Sequence, residues 1–297
     1  MRVRPSVRLT TLPASKSYAE RFALAAAAGF EGVELETGHG PPEEIRAAAE
    51  RAGIAVHSVH NLANWSLPLS SPDPRVRDAG IRATLAAMEE GRILGADTIQ
   101  LIPGKVQQDT SYAEAWERSR EVIRAEILPA AEAMGIVLGI ENVWNGFLLG
   151  PVEYVRYCDS FDSPFVRPYF DVGNAIFGRP EDWIEIAGRR IVKLHLKDFL
   201  FRESEGRFAY RRIGEGDVDW AKVRAALERI GFDGWGVFAQ AEHVRGRMAS
   251  RIFHAVAHPP AAVRAVPGSR RLLGAANALL SRRLLDDVIA RHRRHVA

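Results

Sequence analysis

Eight short runs of apolar residues recur along the chain, each five to eight residues long and rich in β-branched or aromatic side chains. Such runs are typical of buried strands. Between them, apolar residues return at spacings of three and four, which predicts amphipathic helices. The predicted strands lie at residues 6–12, 32–36, 54–60, 96–102, 135–142, 166–172, 191–198 and 234–240.

Two of the predicted helices carry clear start or stop signals. Ser111 and Glu114 have the spacing of a capping box, in which each side chain satisfies a backbone N–H at the start of a helix. A second helix is expected to begin near Asp219 and to end at Gly231, because glycine readily adopts the left-handed conformation that closes a helix.

Regular alternation of strands and helices predicts a parallel sheet with right-handed crossovers. Eight strand–helix units in under 300 residues favour an α/β protein with the (β/α)8 TIM-barrel fold, as a single domain over residues 1–297. The segment 243–270 has no clear period and is expected to be an irregular loop or extra helix, and 271–296 a closing helix. No Gly-rich dinucleotide or phosphate-loop motif follows a strand.

Composition points to an ordinary globular chain, with 47% hydrophobic and 26% charged residues. No apolar run approaches the roughly 20 residues that cross a bilayer, and no signal-peptide pattern opens the chain. The one cysteine, Cys158, excludes a disulfide within the chain and fits a reducing compartment. We therefore expect a cytoplasmic protein without membrane partners.

Charge is unevenly distributed, although the formal net charge is only +3. Residues 243–297 hold 11 arginines, no lysine and two aspartates, a balance of +9, so residues 1–242 carry −6. An Arg-rich tail suits nucleic acid or an anionic membrane surface. A solvated helical face explains the same pattern more simply, so nucleic acid is not the favoured partner.

Polar side chains end three consecutive predicted strands, where a barrel places its active site. Two carboxylates and one imidazole on neighbouring strands would converge and would form a site for Mn²⁺, Mg²⁺, Co²⁺ or Zn²⁺. Each residue also has an ordinary alternative: Glu141 in a buried ion pair, Asp171 capping a turn and His195 as a core histidine. The polar residues are Glu141 and Asn142, then Asp171 and Asn174, then His195, Lys197 and Asp198.

Four stretches resemble the sugar-phosphate isomerase and epimerase family, the xylose isomerase-like TIM barrels: "IENVWNGFLLGP", "YFDVGNA", "IVKLHLKDF" and "IGEGDVDW". The resemblance covers roughly residues 30–238 and does not identify a substrate. It implies one divalent metal ion held by Glu141, Asp171, His195 and a Glu on the eighth strand. It also implies proton transfer next to a carbonyl through a metal-stabilised enediolate, with Glu141 as one base.

The eighth strand departs from the family pattern, because Ala239 stands where the resemblance places the Glu. Gln240 as a metal ligand and Glu242 as the second catalytic base are the nearest replacements, if a bulge turns them inward. Without them, epimerisation by two bases loses a partner, whereas isomerisation by one base remains available.

Further polar residues are expected to line the mouth of the barrel and to contact substrate. Most lie near the ends of predicted strands or follow the metal ligands in sequence, and Arg212 precedes "IGEGDVDW". Surface or packing roles are the alternative for His57 and His60, and a solvated side chain is the alternative for Arg212. The set comprises Glu36, His57, His60, Asn142, Asn174, Lys197 and Arg212.

The sequence therefore predicts a metal-dependent isomerase or epimerase of a small sugar or sugar phosphate. The main alternative is a barrel that has lost catalysis together with its strand-eight Glu. A lyase similar to inosose dehydratase and a DNA-repair enzyme similar to endonuclease IV are weaker alternatives, and the latter requires a three-metal cluster. The resemblance also suggests a homo-oligomer.

Overall fold

The structure is a computed structural model that describes residues 1–38, 40–175, 178–202 and 207–239 of the 297-residue chain. Eight parallel strands close into a barrel in the order β1-β2-β3-β4-β5-β6-β7-β10, and β8 and β9 form a separate antiparallel hairpin. The TIM-barrel fold is thereby confirmed. The strands are β1 Arg2–Arg8, β2 Gly32–Glu36, β3 Ala55–His60, β4 Thr98–Leu101, β5 Val137–Glu141, β6 Val166–Asp171, β7 Lys193–Leu196, β8 Asp198–Arg202, β9 Arg207–Arg211 and β10 Asp233–Phe238.

Helices follow the barrel strands and cover the outside of the sheet. A π-helical segment at Ile123–Ile127 joins α4 to α5, and within the described residues no helix is long and apolar enough to cross a membrane. The predicted loop or helix at 243–270 and the closing helix at 271–296 lie outside the described residues. The helices are α1 Tyr18–Ala27, α2 Pro42–Ala52, α3 Pro74–Leu94, α4 Tyr112–Val122, α5 Leu128–Met134, α6 Pro151–Asp159, α7 Pro180–Ala187 and α8 Trp220–Arg229.

Local sequence signals account for several helix boundaries. Ser111 and Glu114 form the predicted capping box at the start of α4. Asp219 caps α8 by accepting a hydrogen bond from the backbone N–H of Lys222. Gly231 follows α8 with a φ of 66°, the left-handed conformation that only glycine adopts without strain.

Two predicted strands differ from those observed. The first was expected at 6–12, but β1 spans Arg2–Arg8 and a 3₁₀ turn occupies Leu9–Thr11. Pairing with β10, from Arg2 opposite Asp233 to Val7 opposite Phe238, extends the strand backward through its arginines. The seventh, expected at 191–198, is shorter, because Asp198 begins the β8–β9 hairpin that the apolar pattern did not predict.

The barrel interior is polar, whereas the outer faces of the strands are apolar. Val33, Leu138 and Phe170 are fully buried in the hydrophobic core. In contrast, Glu34 on β2 meets His195 on β7, a strand that is not its neighbour, so this contact crosses the barrel interior. Charged side chains inside a barrel are costly to bury without partners. The side chains that pair with them form the candidate site.

Candidate metal and substrate site

Glu141, Asp171 and His195 come together at the carboxyl ends of three adjacent strands. Glu141 and Asp171 are the last residues of β5 and β6, and Asp171 lies opposite His195 in the β6–β7 pairing. One ligand atom from each of the three side chains lies within 4.8 Å of the others, and all three residues are buried. This is the convergence that the strand ends predicted.

Distances within this triad place both carboxylates beside one imidazole nitrogen. His195 Nδ1 lies 2.7 Å from Glu141 Oε1 and 3.8 Å from Asp171 Oδ2. The Lys197 ammonium contacts Asp171 Oδ2 and lies 3.7 Å from Glu141 Oε1. The ion-pair alternative for Glu141 is therefore realised with Lys197, next to the ligand atoms of the triad.

The other nitrogen of His195 is held by Glu34, a residue that the sequence reasoning did not place in the site. His195 Nε2 lies 2.9 Å from Glu34 Oε1. The second oxygen of Glu34 accepts hydrogen bonds from Ser58 Oγ at 3.0 Å and Tyr169 Oη at 2.5 Å. A carboxylate at Nε2 fixes the ring orientation and leaves Nδ1 to face a ligand. The alternation of apolar and acidic residues in "GVELE" was the feature of the sequence that could have indicated this role of Glu34.

The carboxylate of Glu141 is likewise held in place by a chain of hydrogen bonds. Gln100 Nε2 donates to Glu141 Oε2, and Asn64 Nδ2 donates to Gln100 Oε1 at 3.0 Å. Both supporting residues are buried. Neither was predicted, and nothing in their sequence surroundings distinguishes them from ordinary polar residues.

Electrostatic coupling shifts the pKa values of the whole group. Burial alone would raise the pKa of Glu141, but the charges of His195 and Lys197 outweigh it and lower that pKa. Burial and the neighbouring Glu141 raise the pKa of Asp171. Burial lowers the pKa of His195, but the charges of Glu34 and Glu141 overcome it and raise that pKa to about 9.

The donor set of the triad fits a divalent metal ion. Two carboxylate oxygens and one imidazole nitrogen suit Mn²⁺, Co²⁺ or Zn²⁺, and Mg²⁺ less well because of the nitrogen. The Lys197 ammonium already lies against both carboxylates, so a positive charge is accommodated there. Glu34 adds the outer carboxylate that a metal-bound histidine ordinarily has.

The two predicted asparagines position Asp171. Asn142 and the Asp171 backbone exchange two hydrogen bonds, of 2.9 and 2.7 Å. Asn174 donates through Nδ2 to the Asn142 carbonyl at 2.8 Å, and its backbone N–H donates to Asp171 Oδ1 at 2.9 Å. These bonds hold the ends of β5 and β6 at a fixed separation, and the substrate contacts predicted for the asparagines stay predictions.

His57 lies apart from the triad, in a network at the opposite end of the barrel interior. Its Nε2 is 2.6 Å from Ser6 Oγ, its Nδ1 is 3.1 Å from Lys193 Nζ, and its ring stacks on Trp235. Both ring nitrogens therefore have protein partners, and the substrate contact predicted for His57 stays a prediction. An extra residue in β3 causes this, since Val56 pairs with Val33 and Ser58 with Glu34, leaving His57 between them.

The remaining predicted residues lie outside the triad. Glu36 and His60 end β2 and β3. Arg212 follows β9, and its Nη1 is 3.8 Å from Glu215 Oε1. Asp198 accepts hydrogen bonds from three backbone N–H groups in the segment 214–218 and from Trp220 Nε1, which folds the "IGEGDVDW" loop.

The eighth barrel strand contributes no carboxylate to the mouth within the part of the chain that the structure describes. β10 ends at Phe238, and Ala239 follows as a buried residue whose N–H donates to the Leu196 carbonyl at 3.4 Å. The proposed ligand Gln240 and the proposed base Glu242 lie outside the described residues. Only Glu141, Asp171 and His195 form a group of metal-ligating side chains close enough to hold an ion within residues 1–38, 40–175, 178–202 and 207–239. One such group does not match the three-metal cluster of an endonuclease.

Comparisons with known proteins agree with this geometry. The sequence profile described as xylose isomerase-like TIM barrel matches residues 22–265. The chain is 26% identical over 239 residues to a putative L-ribulose-5-phosphate 3-epimerase of Haemophilus influenzae, covering 75% of this chain and 83% of the relative. It is 26% identical over 237 residues to the L-ribulose-5-phosphate 3-epimerase of Escherichia coli O1:K1, covering 75% and 82%.

A crystal structure of D-psicose 3-epimerase, determined in the presence of D-fructose, superimposes with a TM-score of 0.68 at 22% identity. It covers 84% of this chain and 89% of that one. At this identity the similarity establishes the fold.

Proposed function

This chain belongs to the xylose isomerase-like TIM barrel family, and we propose that it is a divalent-metal-dependent isomerase or epimerase of a small ketose. The relatives named above are sugar epimerases, which supports the enzyme class. The observation that carries the proposal is the buried triad of Glu141, Asp171 and His195. Its residues come from three separate strands, and its ligand atoms face one point.

The residues of the triad and its supports have separate roles in this proposal. Glu141, Asp171 and His195 would hold the metal, with Glu34 and Gln100 fixing the orientation of His195 and Glu141. A bound divalent cation supplies Lewis-acid stabilisation of negative charge on substrate oxygens. Lys197, which carries a positive charge beside Asp171, would donate a hydrogen bond to a substrate oxygen.

Glu141 is the proposed base. Its carboxylate takes the proton from the carbon next to the ketone carbonyl, and the electron pair of that C–H bond forms the enediolate of the substrate. The lowered pKa of Glu141 keeps it ionised and ready to accept the proton. When the proton leaves C1, its return to C2 gives an aldose, which one base can accomplish. When it leaves C3, inversion of that carbon needs an acid on the other face, the role predicted for Glu242.

Metal content and hydrogen exchange test this function together. The purified protein is stripped with a chelator, reloaded with Mn²⁺ and dialysed, and metal per chain is measured. The loaded protein is then incubated with D-psicose or L-ribulose in D₂O, and NMR follows loss of the C1 and C3 proton signals. We expect about one Mn²⁺ per chain in the wild type, with deuterium at C1 for an isomerase or at C3 for an epimerase.

Asp171→Asn removes one ligand charge at constant size, and we expect it to lose the metal and the exchange. Asp159→Asn is the matched control, because Asp159 pairs with Arg190 in an exposed ion pair on the outside of the barrel. Retention of Mn²⁺ by Asp171→Asn at the wild-type level would contradict the assigned ligand set.

A non-catalytic sugar-binding barrel is the second candidate, and Ala239 favours it. An alanine where the family pattern has a Glu removes a ligand and a base from that position. In this case the protein retains metal and binds ketose, but neither C1 nor C3 takes up deuterium. The same experiment therefore separates the two candidates.

A further inference from the structure

A second polar cluster lies at the same mouth of the barrel, on the strands opposite the triad. Arg8, Glu36 and His60 are the last residues of β1, β2 and β3, three consecutive strands of the barrel. Arg8 Nη2 is 2.5 Å from Glu36 Oε1, and Thr10 Oγ1 donates to the same oxygen at 3.3 Å. We call Arg8, Glu36 and His60 the distal cluster.

The distal cluster contains buried polar atoms that no group in the described part of the chain satisfies. Among residues 1–38, 40–175, 178–202 and 207–239, Arg8 Nε and His60 Nδ1 are buried and have no hydrogen-bond partner. His60 as a whole is only 7% exposed. A buried polar atom without a hydrogen-bond partner costs free energy, so two of them in one cluster indicate groups that a ligand completes.

Charged groups of both the distal cluster and the triad shift the pKa of His60. Burial first, and then the charge of Arg8, lower the pKa of His60 to about 4, and Glu141 and His195 also act on it. His60 is therefore a neutral imidazole at neutral pH. The cluster as a whole is electrically balanced, because the one cation, Arg8, is paired with Glu36.

We propose that the distal cluster binds hydroxyl groups at the end of the ketose remote from the metal, and that the protein prefers an unphosphorylated ketose to its terminal phosphate ester. This inference rests on the proposed function, since it names the substrate of that same site. A hydroxyl can accept a hydrogen bond from Arg8 Nε and donate one to Glu36.

A phosphate group would fit this place poorly. It would approach the carboxylate of Glu36 and would have to compete for Arg8 against an existing ion pair. Of the other cations predicted to contact substrate, both within the described residues, Lys197 pairs with Asp171 and Glu141, and Arg212 with Glu215. Binding a dianion there would require breaking an ion pair, whereas binding a hydroxyl does not.

Calorimetric titration of the Mn²⁺-loaded protein tests the proposal without requiring turnover. The probes are L-ribulose and D-psicose as uncharged ketoses and L-ribulose 5-phosphate as the charged one. We expect L-ribulose to bind at least about tenfold more tightly than its 5-phosphate. We expect Arg8→Met to weaken binding of the uncharged ketoses roughly tenfold, because one charge-assisted hydrogen bond is lost, while Mn²⁺ retention is unchanged.

His60→Gln is the second variant, for the case that Arg8→Met does not fold, and we expect a similar loss of ketose affinity. Arg75→Met is the matched control, since Arg75 is exposed and pairs with Asp73. Tighter binding of the 5-phosphate, or no effect of either variant, overturns the proposal. Absence of ketose binding to protein that retains Mn²⁺ overturns it as well. Failure to retain Mn²⁺ in the wild type refutes the proposed function itself.

Discussion

The two ends of the barrel interior both bury charged groups, but they pair these groups in different ways. The upper end holds the triad of Glu141, Asp171 and His195, and the lower end holds His57 and Lys193. At the lower end, Lys193 donates to Asp97 Oδ1 at 2.5 Å and to the His57 carbonyl at 2.6 Å. His57 contacts Lys193 and Ser6 and stacks on Trp235 at 4.4 Å between ring centroids. The ring nitrogens of His57 and the ammonium of Lys193 all have protein partners there, whereas Arg4 Nε, whose guanidinium lies over Trp235, has none among the described residues.

At the upper end, acceptors outnumber donors. Glu34, Glu141 and Asp171 surround His195, and Lys197 is the one lysine that contacts the triad in the described chain. Burying several carboxylates together is costly unless a cation joins them. Buried acceptors that converge on one point are therefore an indication of a ligand site. Buried charges that are paired within the protein are an indication of a structural network.

Glu141→Gln should have the largest effect, because it removes the proposed base and one metal ligand at the upper end. We expect hydrogen exchange at C3 of the ketose to slow by about 10²–10⁴-fold. The measurement is deuterium uptake by NMR at saturating Mn²⁺. Asp97→Asn at the lower end is the control, and an equal loss in that variant would show that the two ends do not act separately.

Glu34→Gln should weaken Mn²⁺ binding by about 10–100-fold, because His195 loses the carboxylate that orients its ring. Titration of the metal-free protein with Mn²⁺ gives the affinity. Ser6→Ala is the matched change at the lower end, where it removes the partner of His57. We expect it to leave Mn²⁺ affinity unchanged, and a comparable weakening would argue against Glu34 acting through His195.

Gly32→Ala should destabilise the lower end through steric overlap. A Cβ there would lie 2.7 Å from Trp235 Cζ3 and 2.9 Å from His57 Cδ2. We expect a loss of about 1–3 kcal/mol in the free energy of unfolding, measured with urea. Gly178→Ala is the control, since among the described residues its Cβ would meet nothing closer than Trp183 Nε1 at 3.7 Å. Equal stabilities of the two variants would mean that the lower end repacks freely.

His57 should make the protein less stable in acid. Burial first, and then the charge of Lys193, lower the pKa of His57 well below its ordinary value. Below about pH 6.5 the unfolded chain binds a proton that folded His57 does not, so stability is lost as the pH falls.

The loss expected from His57 is about 1.4 kcal/mol per pH unit, and His57→Gln should remove it from the pH dependence of the unfolding free energy. The measurement uses metal-free protein between pH 6.5 and 5. Lys222→Gln on the exposed face of α8 is the control, and an unchanged slope in His57→Gln would show that His57 is protonated in the fold.

The upper end was largely predictable, and the lower end was not. Glu141, Asp171 and His195 each end or nearly end an apolar run, so strand order alone brought them together. Gln100 and Arg8 carry no such signal, and Glu34 is marked only by the alternation in "GVELE", because their roles depend on contacts with side chains of other strands. The position of His57 depends on the extra residue in β3, which changes the face on which side chains lie.

The sequence by itself determined the barrel, most strand positions and the three metal-ligand candidates. These depend on the pattern of apolar residues and on the alternation of strands and helices, which can be read from neighbouring residues. It did not determine the start of β1, the β8–β9 hairpin or the two polar networks. Pairing with β10 decides the first, and contacts between strands distant in sequence decide the networks. Only closure of the barrel brings those groups within hydrogen-bonding distance, and hydrogen bonds act only at that range.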